Sequence, residues 1–139
     1  MSEPGQRSAR DQPRRPGIPE VHDLLHLYAT AIDTRRLELL RDVFTPDATE
    51  DFRRLGATAE GVDAIIAFIG NAIERWSATQ HSITNIVSDG ETASCYFVAV
   101  HVKPEGGLFE VGGAYYDKLT RTDHGLRIAE RILEPIWEQ

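Results

Sequence analysis

Thr79-Gln80-His81-Ser82-Ile83-Thr84-Asn85 marks the point where the chain changes its period. Upstream of it, Val62, Ile65, Ile66, Ile69, Ile73 and Trp76 recur at helical spacing and define an amphipathic helix opened by Gly61. From Thr79 onward the pattern is that of a strand, 79–88, closed by Asp89-Gly90, a hairpin turn signal. Residues 91–103, rich in β-branched and aromatic residues, read as its partner strand. A loop at Pro104-Glu105-Gly106-Gly107 leads to a third strand, 108–121. A turn at Thr122-Asp123-His124-Gly125 leads to a fourth, 126–137, with an interruption expected at Pro135. Helices first and a meander afterwards specify an α+β domain. A long bent sheet wrapped on one helix makes a cone with an interior cavity. Gly112-Gly113, in the middle of the third strand, permits the sharp bend or bulge this needs. The expected architecture is a cone-shaped, curved antiparallel sheet packed on N-terminal helices.

Toward the N-terminus, Val21, Leu24, Leu25, Tyr28 and Ile32 fall on one helical face. Pro19 suits a first helical turn, and Glu20 and Asp23 favour the positive end of its dipole. A second short helix carries Leu37, Leu40, Val43 and Phe44 inward and breaks at Thr45-Pro46-Asp47. Thr49 to Leu55 reads as a short strand. Residues 1–16 contain three prolines and four arginines and almost no bulky apolar side chains, so they are expected to form a disordered tail. The remainder, 17–139, is expected to be a single domain.

The 139 residues suffice for a real core without metals or disulfides. A net charge of -7 argues against nucleic acid and against anionic membranes as partners. No apolar run approaches a membrane-spanning length. Cys95 is the lone cysteine, which favours a reducing, cytoplasmic setting. It lies in a strand-like apolar run and reads as a buried, inert thiol. There is no phosphate-cradling glycine loop, no nucleophile elbow and no zinc ligand set. His22 and His26 stand one turn apart, but a solvated helix face explains them without a metal.

Asp33 closes the first helix and His81 opens the first long strand. Elements so far apart in sequence can bring a base and its orienting carboxylate together if the fold allows. A carboxylate on one ring nitrogen fixes the imidazole tautomer and makes the other nitrogen a better base. The same pair can instead be a satisfied structural hydrogen bond. Alternation places Asn85 on the face of His81, and His101 on that of Phe97 and Ala99, as residues lining the pocket. Arg131 reads either as a surface ion pair or as an anion clamp. Asp51 and Arg53 are left undecided by parity.

In these stretches the chain resembles the SnoaL-like branch of the nuclear-transport-factor-2-like (cystatin-like cone) superfamily, over about residues 18 to 137. The resemblance rests on Leu27-Tyr28-Ala29 with Asp33, on Leu40-Arg41-Asp42-Val43-Phe44-Thr45-Pro46-Asp47-Ala48, and on Gly61-Val62-Asp63-Ala64-Ile65. It continues through Thr79-Gln80-His81, Asp89-Gly90, Gly113-Ala114-Tyr115-Tyr116-Asp117 and Gly125-Leu126-Arg127-Ile128. Within that superfamily it is most similar to the group holding scytalone dehydratase, the bile acid 7α-dehydratase and the hexachlorocyclohexane dehydrochlorinase. The resemblance implies a catalytic dyad of Asp33 and His81, 48 positions apart, with Tyr28 in the place of a tyrosine found in this group. The dehydrochlorinase has a lysine there, which weighs against dehalogenation here; its arginine on the last strand is matched by Arg131. Leu126 departs from the tryptophan of many relatives, and His101 is a loose counterpart of a second histidine.

The resemblance implies a cofactor-independent dehydratase, lyase, isomerase or cyclase. Its substrate would be a small, hydrophobic hydroxylated carbonyl, polyketide-like or steroid-like. His81, Asp33 and Tyr28 are then catalytic, and His101, Asn85, Tyr116, Arg131 and Phe97 contact the substrate. Tyr28 or Tyr116 would bond a carbonyl or assist a departing hydroxyl. The alternative is a non-catalytic small-molecule-binding or assembly module of the same fold. Apolar and aromatic residues at both parities, Tyr96, Val98 and Val100 against Phe97 and Ala99, lead to the expectation of a homodimer or homotrimer joined through the outer sheet face.

Overall fold

The computed structural model describes residues 18–139, so the expected tail at 1–16 lies outside the described residues. Helix α1 spans Ile18–Asp33 and is followed by a 3₁₀ helix, Leu37–Asp42. Strand β1 is Phe44–Phe52, β2 is Ala57–Glu60, and α2 is Val62–Ile73. The long strands follow: β3 Ala78–Ser88, β4 Thr92–Val102, β5 Leu108–Thr122 and β6 Gly125–Glu138. They form one six-stranded sheet in the order β2-β1-β6-β5-β4-β3. The fold is the α+β cone expected, with α1 and α2 packed on its inner face.

Two corrections concern the edge of the sheet. β1 pairs with β6 in parallel, so the sheet is mixed and not wholly antiparallel. Alternation reports which face a strand buries; it does not report the direction of a pairing between strands distant in sequence. β1 also begins at Phe44, where a helix end had been expected, and runs through Pro46, which is exposed. The pairing with β6 shifts register between Phe44 and Thr49, and this irregularity accommodates a residue that cannot donate to a ladder. The four-residue β2 is too short for alternation to reveal it.

The core joins one stripe of each helix to the inner face of the sheet. α1 contributes Val21, Leu25, Tyr28 and Ile32, α2 Val62, Ile65, Ile69 and Ile73, and β4 Ala93, Cys95, Phe97 and Ala99. These are the helical spacings and the strand alternation of the sequence. The ladder shifts register in the β1–β6, β3–β4 and β5–β6 pairings, and two of these bulges bear on the site. One lies in β3 between Thr84 and Val87, where Asn85 is left-handed (φ 54°). The other lies where β5 meets β6, between Gly112 and Gly113, opposite Pro135 and Trp137. β6 bulges there and continues past Pro135. Gly113 is required by close approach: a Cβ there would lie 2.4 Å from the Glu134 carbonyl oxygen and 2.8 Å from Phe97. The indole of Trp137 covers Gly112 in the same way.

Candidate functional site

The C-terminal end of α1 builds the first half of the site. Arg36 N–H donates to the Ala31 carbonyl and Arg35 N–H to that of Ile32, while Arg35 is left-handed (φ 62°). This is a Schellman ending with arginine where glycine is usual. It turns the chain away immediately after Asp33. The Arg35 guanidinium reaches back to the Ile32 carbonyl (3.1 Å), to Thr79 Oγ1 (3.0 Å) and to the Trp76 carbonyl (3.3 Å), tying the helix end to the start of β3.

β3 supplies the second half. Thr79 Oγ1 donates to Asp33 Oδ1 at 3.0 Å, and the His81 backbone N–H donates to Oδ2 at 2.7 Å. His81 Nδ1 lies 2.8 Å from Asp33 Oδ1. An ionised carboxylate only accepts, so Nδ1 carries a proton, and in the neutral ring Nε2 is left with its lone pair. Burial pushes the Asp33 carboxyl up, but the bonds from the His81 ring and backbone, with that from Thr79, outweigh it and hold the group below the usual carboxylate range. Asp33 is thus anchored as an ion by both ends of the junction.

His81 is one wall of a cavity of about 390 Å³ inside the cone. Its other walls are mainly apolar: Ile32, Phe52, Phe68, Ile69, Ile73, Trp76, Phe97, Ala99, Phe109, Val111 and Leu133. Tyr28, Tyr115 and His101 also face it, and Arg54, Arg75 and Glu138 are its charged members. The His101 and His81 ring centres are 6.3 Å apart. His101 Nδ1 donates to the Phe109 carbonyl at 3.1 Å, and its ring lies against Trp76 and Phe109. Burial pulls the His101 pKa down, which favours a neutral ring.

Behind Tyr28 lies a second polar group. The Tyr28 hydroxyl donates to Glu50 Oε2 at 2.8 Å. Arg131 is fully buried and bonds Asp117 in a fork, Nε to Oδ1 at 2.7 Å and Nη2 to Oδ2 at 2.8 Å. Its guanidinium lies over both the Tyr28 ring (4.3 Å) and the Tyr115 ring (4.0 Å), which meet edge to face. Burial opposes the Arg131 charge, but the Asp117 carboxylate outweighs it and keeps the guanidinium ionised. Burial pushes the Glu50 carboxyl up to about 7, against the opposing pull of Arg131 and the Tyr28 hydroxyl. Burial likewise pushes the Cys95 thiol up to about 11, in keeping with an inert thiol.

The structure therefore gathers Asp33, His81, Tyr28, His101 and Phe97 at or around one cavity. Three other residues expected there stand elsewhere. Asn85 is exposed, because the bulge in β3 breaks the alternation and lets Ile86 take the inward place. Tyr116 is 51% exposed on the outer face, and its neighbour Tyr115 points in. Arg131 is neither a surface pair nor a member of the cavity wall; it is sealed behind two tyrosine rings. Arg53 is exposed and Asp51 half-buried, while Glu50 between Thr49 and Asp51 is fully buried. Glu50 was legible in one signal: Ala48, Glu50 and Phe52 share parity. Among the described residues no three His, Cys, Asp or Glu side chains gather so as to hold a metal ion, and no helix is long and apolar enough to cross a membrane.

Comparison with known proteins places this geometry in a family. An uncharacterized protein of Mycobacterium tuberculosis is 33% identical over 119 residues, covering 81% of each chain. A structure from Novosphingobium aromaticivorans, provisionally named an aromatic ring hydroxylase, is 28% identical with a TM-score of 0.76, covering 87% of this chain and 90% of its own. A second from that organism, provisionally named a scytalone dehydratase, is 20% identical with a TM-score of 0.75, over 87% of this chain and 85% of that one. The hexachlorocyclohexane dehydrochlorinase LinA-type3 of Novosphingobium barchaimii is 15% identical with a TM-score of 0.75, over 87% of each chain. At 20% and 15% identity these last two share the fold alone. The SnoaL-like domain model matches residues 17–132. This chain belongs to the SnoaL-like domain family and has the nuclear-transport-factor-2-like fold.

Proposed function

We propose that this protein is a cofactor-independent lyase of the dehydratase type, with His81 as general base and Asp33 as its orienting carboxylate. The observation that carries this reading is the His81 ring, held by Asp33 through Nδ1 at 2.8 Å, on the wall of a mainly apolar cavity. Its substrate class is a small, hydrophobic hydroxylated carbonyl compound; about 390 Å³ suits a molecule of one to a few rings. His81 Nε2 takes the proton beside the carbonyl. The C–H electron pair becomes a C=C bond as the C–O bond breaks. The departing hydroxide takes the proton back from the imidazolium and leaves as water. The anionic Asp33 stabilises the imidazolium formed between these steps, and the apolar walls strengthen each charge interaction. His101 and Phe97 pack against the substrate. Isomerisation uses the same base with the proton returned to another carbon.

Elimination chemistry is compatible with this fold, since two proteins that share it are named a dehydrochlorinase and, provisionally, a scytalone dehydratase. The test begins with a thermal-shift screen of hydroxylated ketones, polyketide-like and steroid-like compounds, followed by assays of the hits for loss of water. His81→Ala should lower turnover by about 100- to 10,000-fold, the usual worth of a positioned base. A variant that keeps most of its activity refutes the mechanism. Ligands that bind but are never converted favour the non-catalytic binding module.

A further inference from the structure

Tyr28 faces the cavity, yet its hydroxyl proton is directed away from it, to Glu50 Oε2. The dyad reading does not use Glu50. The residue is fully buried on β1, and its second oxygen, Oε1, has no hydrogen-bond partner among the described residues. A phenol has one proton. While that proton is donated to a carboxylate, Tyr28 can only accept from a ligand. A protonated carboxyl reverses the bond, since it becomes the donor.

We propose that Glu50 sets the direction of the Tyr28 hydroxyl. With Glu50 ionised the phenol donates to it. With Glu50 protonated the carboxyl donates to the phenol oxygen and frees the phenol proton for a carbonyl or hydroxyl oxygen in the cavity. The inference deepens the lyase reading, in which such an oxygen sits near His81. The surroundings favour a protonated Glu50 at accessible pH. From β5, Asp117 adds negative charge and the buried Tyr115 offers none that is positive. From β4, Cys95 is a neutral thiol. From β6, Arg131 is the one cation facing Glu50 among the described residues, and both its Nε and Nη2 are held by Asp117. From α1, Tyr28 is the single donor. On the cavity wall, His81 is bonded to Asp33. Burial with so little compensation pushes Glu50 up to about 7, within the range where a small change of pH or of ligand reverses the bond.

The test uses cyclohexanone, an oxygen acceptor that cannot donate, titrated into the folded protein at pH 5.5 and 8.5. The wild type should bind it about five-fold more tightly at pH 5.5, the worth of one hydrogen bond. Glu50→Gln cannot ionise and can donate its amide N–H to the phenol oxygen at every pH, so it should bind tightly and lose the part of the pH dependence that Glu50 supplies. Tyr28→Phe should bind weakly at both. His81 and Asp33 are intact in all three proteins, so their titration is common to them. Equal wild-type affinity on both sides, no binding at either, or a Glu50→Gln variant with the wild-type pH dependence overturns the proposal. Should Glu50→Gln fail to fold, the carboxyl carbons of ¹³C-glutamate-labelled protein give a second reading. The midpoint near neutrality must rise in Tyr28→Phe, which lacks the donor that favours the ion; an unmoved midpoint overturns the proposal. A loss of turnover in His81→Ala bears on the dyad alone, so the two readings fail separately.

Discussion

Replacing Glu50 by glutamine should make the protein less sensitive to alkali. In the fold this carboxyl titrates at about 7, against 4.5 for the group in free water, chiefly because it is buried. An acid whose folded value lies above its unfolded one supports folding in the protonated form. Its contribution is present below about 4.5 and is lost as pH rises through about 7. The displacement corresponds to about 3 kcal/mol, at about 1.4 kcal/mol per pH unit. Glutamine keeps the shape and a donor for Tyr28 and cannot ionise. Urea denaturation of both proteins at intervals from pH 5 to 8.5 measures the difference. Relative to the wild type, Glu50→Gln should gain about 2.5 kcal/mol across that range, with the steepest change at about pH 6, between the two values, and little further change above about pH 7.5. Contributions from Asp33 and His81 are shared and cancel. A gap between the two proteins that stays constant with pH refutes the reasoning, because it means that Glu50 titrates alike in the folded and unfolded chains.

Arg131→Met leaves Asp117 as an unpaired buried carboxylate and should cost about 3–5 kcal/mol in denaturant unfolding; a cost within 1 kcal/mol shows the pair is not structural. Gly113→Ala forces a Cβ to within 2.4 Å of the Glu134 carbonyl oxygen, at the bulge that bends the sheet. It should lose about 1–3 kcal/mol, read as a lower melting temperature, and no loss means the strands separate freely there. The outer sheet face carries Tyr96 at 53%, Tyr116 at 51% and Trp137 at 40% exposure, and we propose that it joins copies of the chain. Sedimentation should then give a dimer or trimer, and Tyr96→Glu should shift it toward monomer; a wild-type monomer at micromolar concentration refutes this.

The cone was legible in the sequence where period and turn chemistry agreed. The stretch from Trp76 to Asp89-Gly90 switches from helical to strand spacing once, and the fold makes the same switch, with α2 ending at Ile73 and β3 running over Ala78–Ser88. Asp33 and His81 were legible as a pair because each stands at the end of a well-marked element. What alternation could not supply was parity beyond an irregularity. One extra residue at the β3 bulge turned Asn85 outward, and in the run Tyr115-Tyr116 nothing local says which tyrosine faces in. Arg131 and Asp117 gave no sign of burial because each, taken alone, is a surface residue type. Their burial follows from the β5–β6 register, which sets them opposite each other. Arg35 was missed because a left-handed helix ending is usually signalled by glycine.

The central claim is that His81 removes a proton beside a carbonyl. The most direct measurement needs no elimination to occur: a ketone ligand from the thermal-shift screen is incubated with the protein in D₂O. Deuterium entering the carbon next to the carbonyl is followed by NMR. The account predicts exchange well above the rate without protein in the wild type. It predicts a fall of about 100- to 10,000-fold in His81→Ala, in a variant whose circular dichroism is unchanged. Exchange in His81→Ala at the wild-type rate contradicts it.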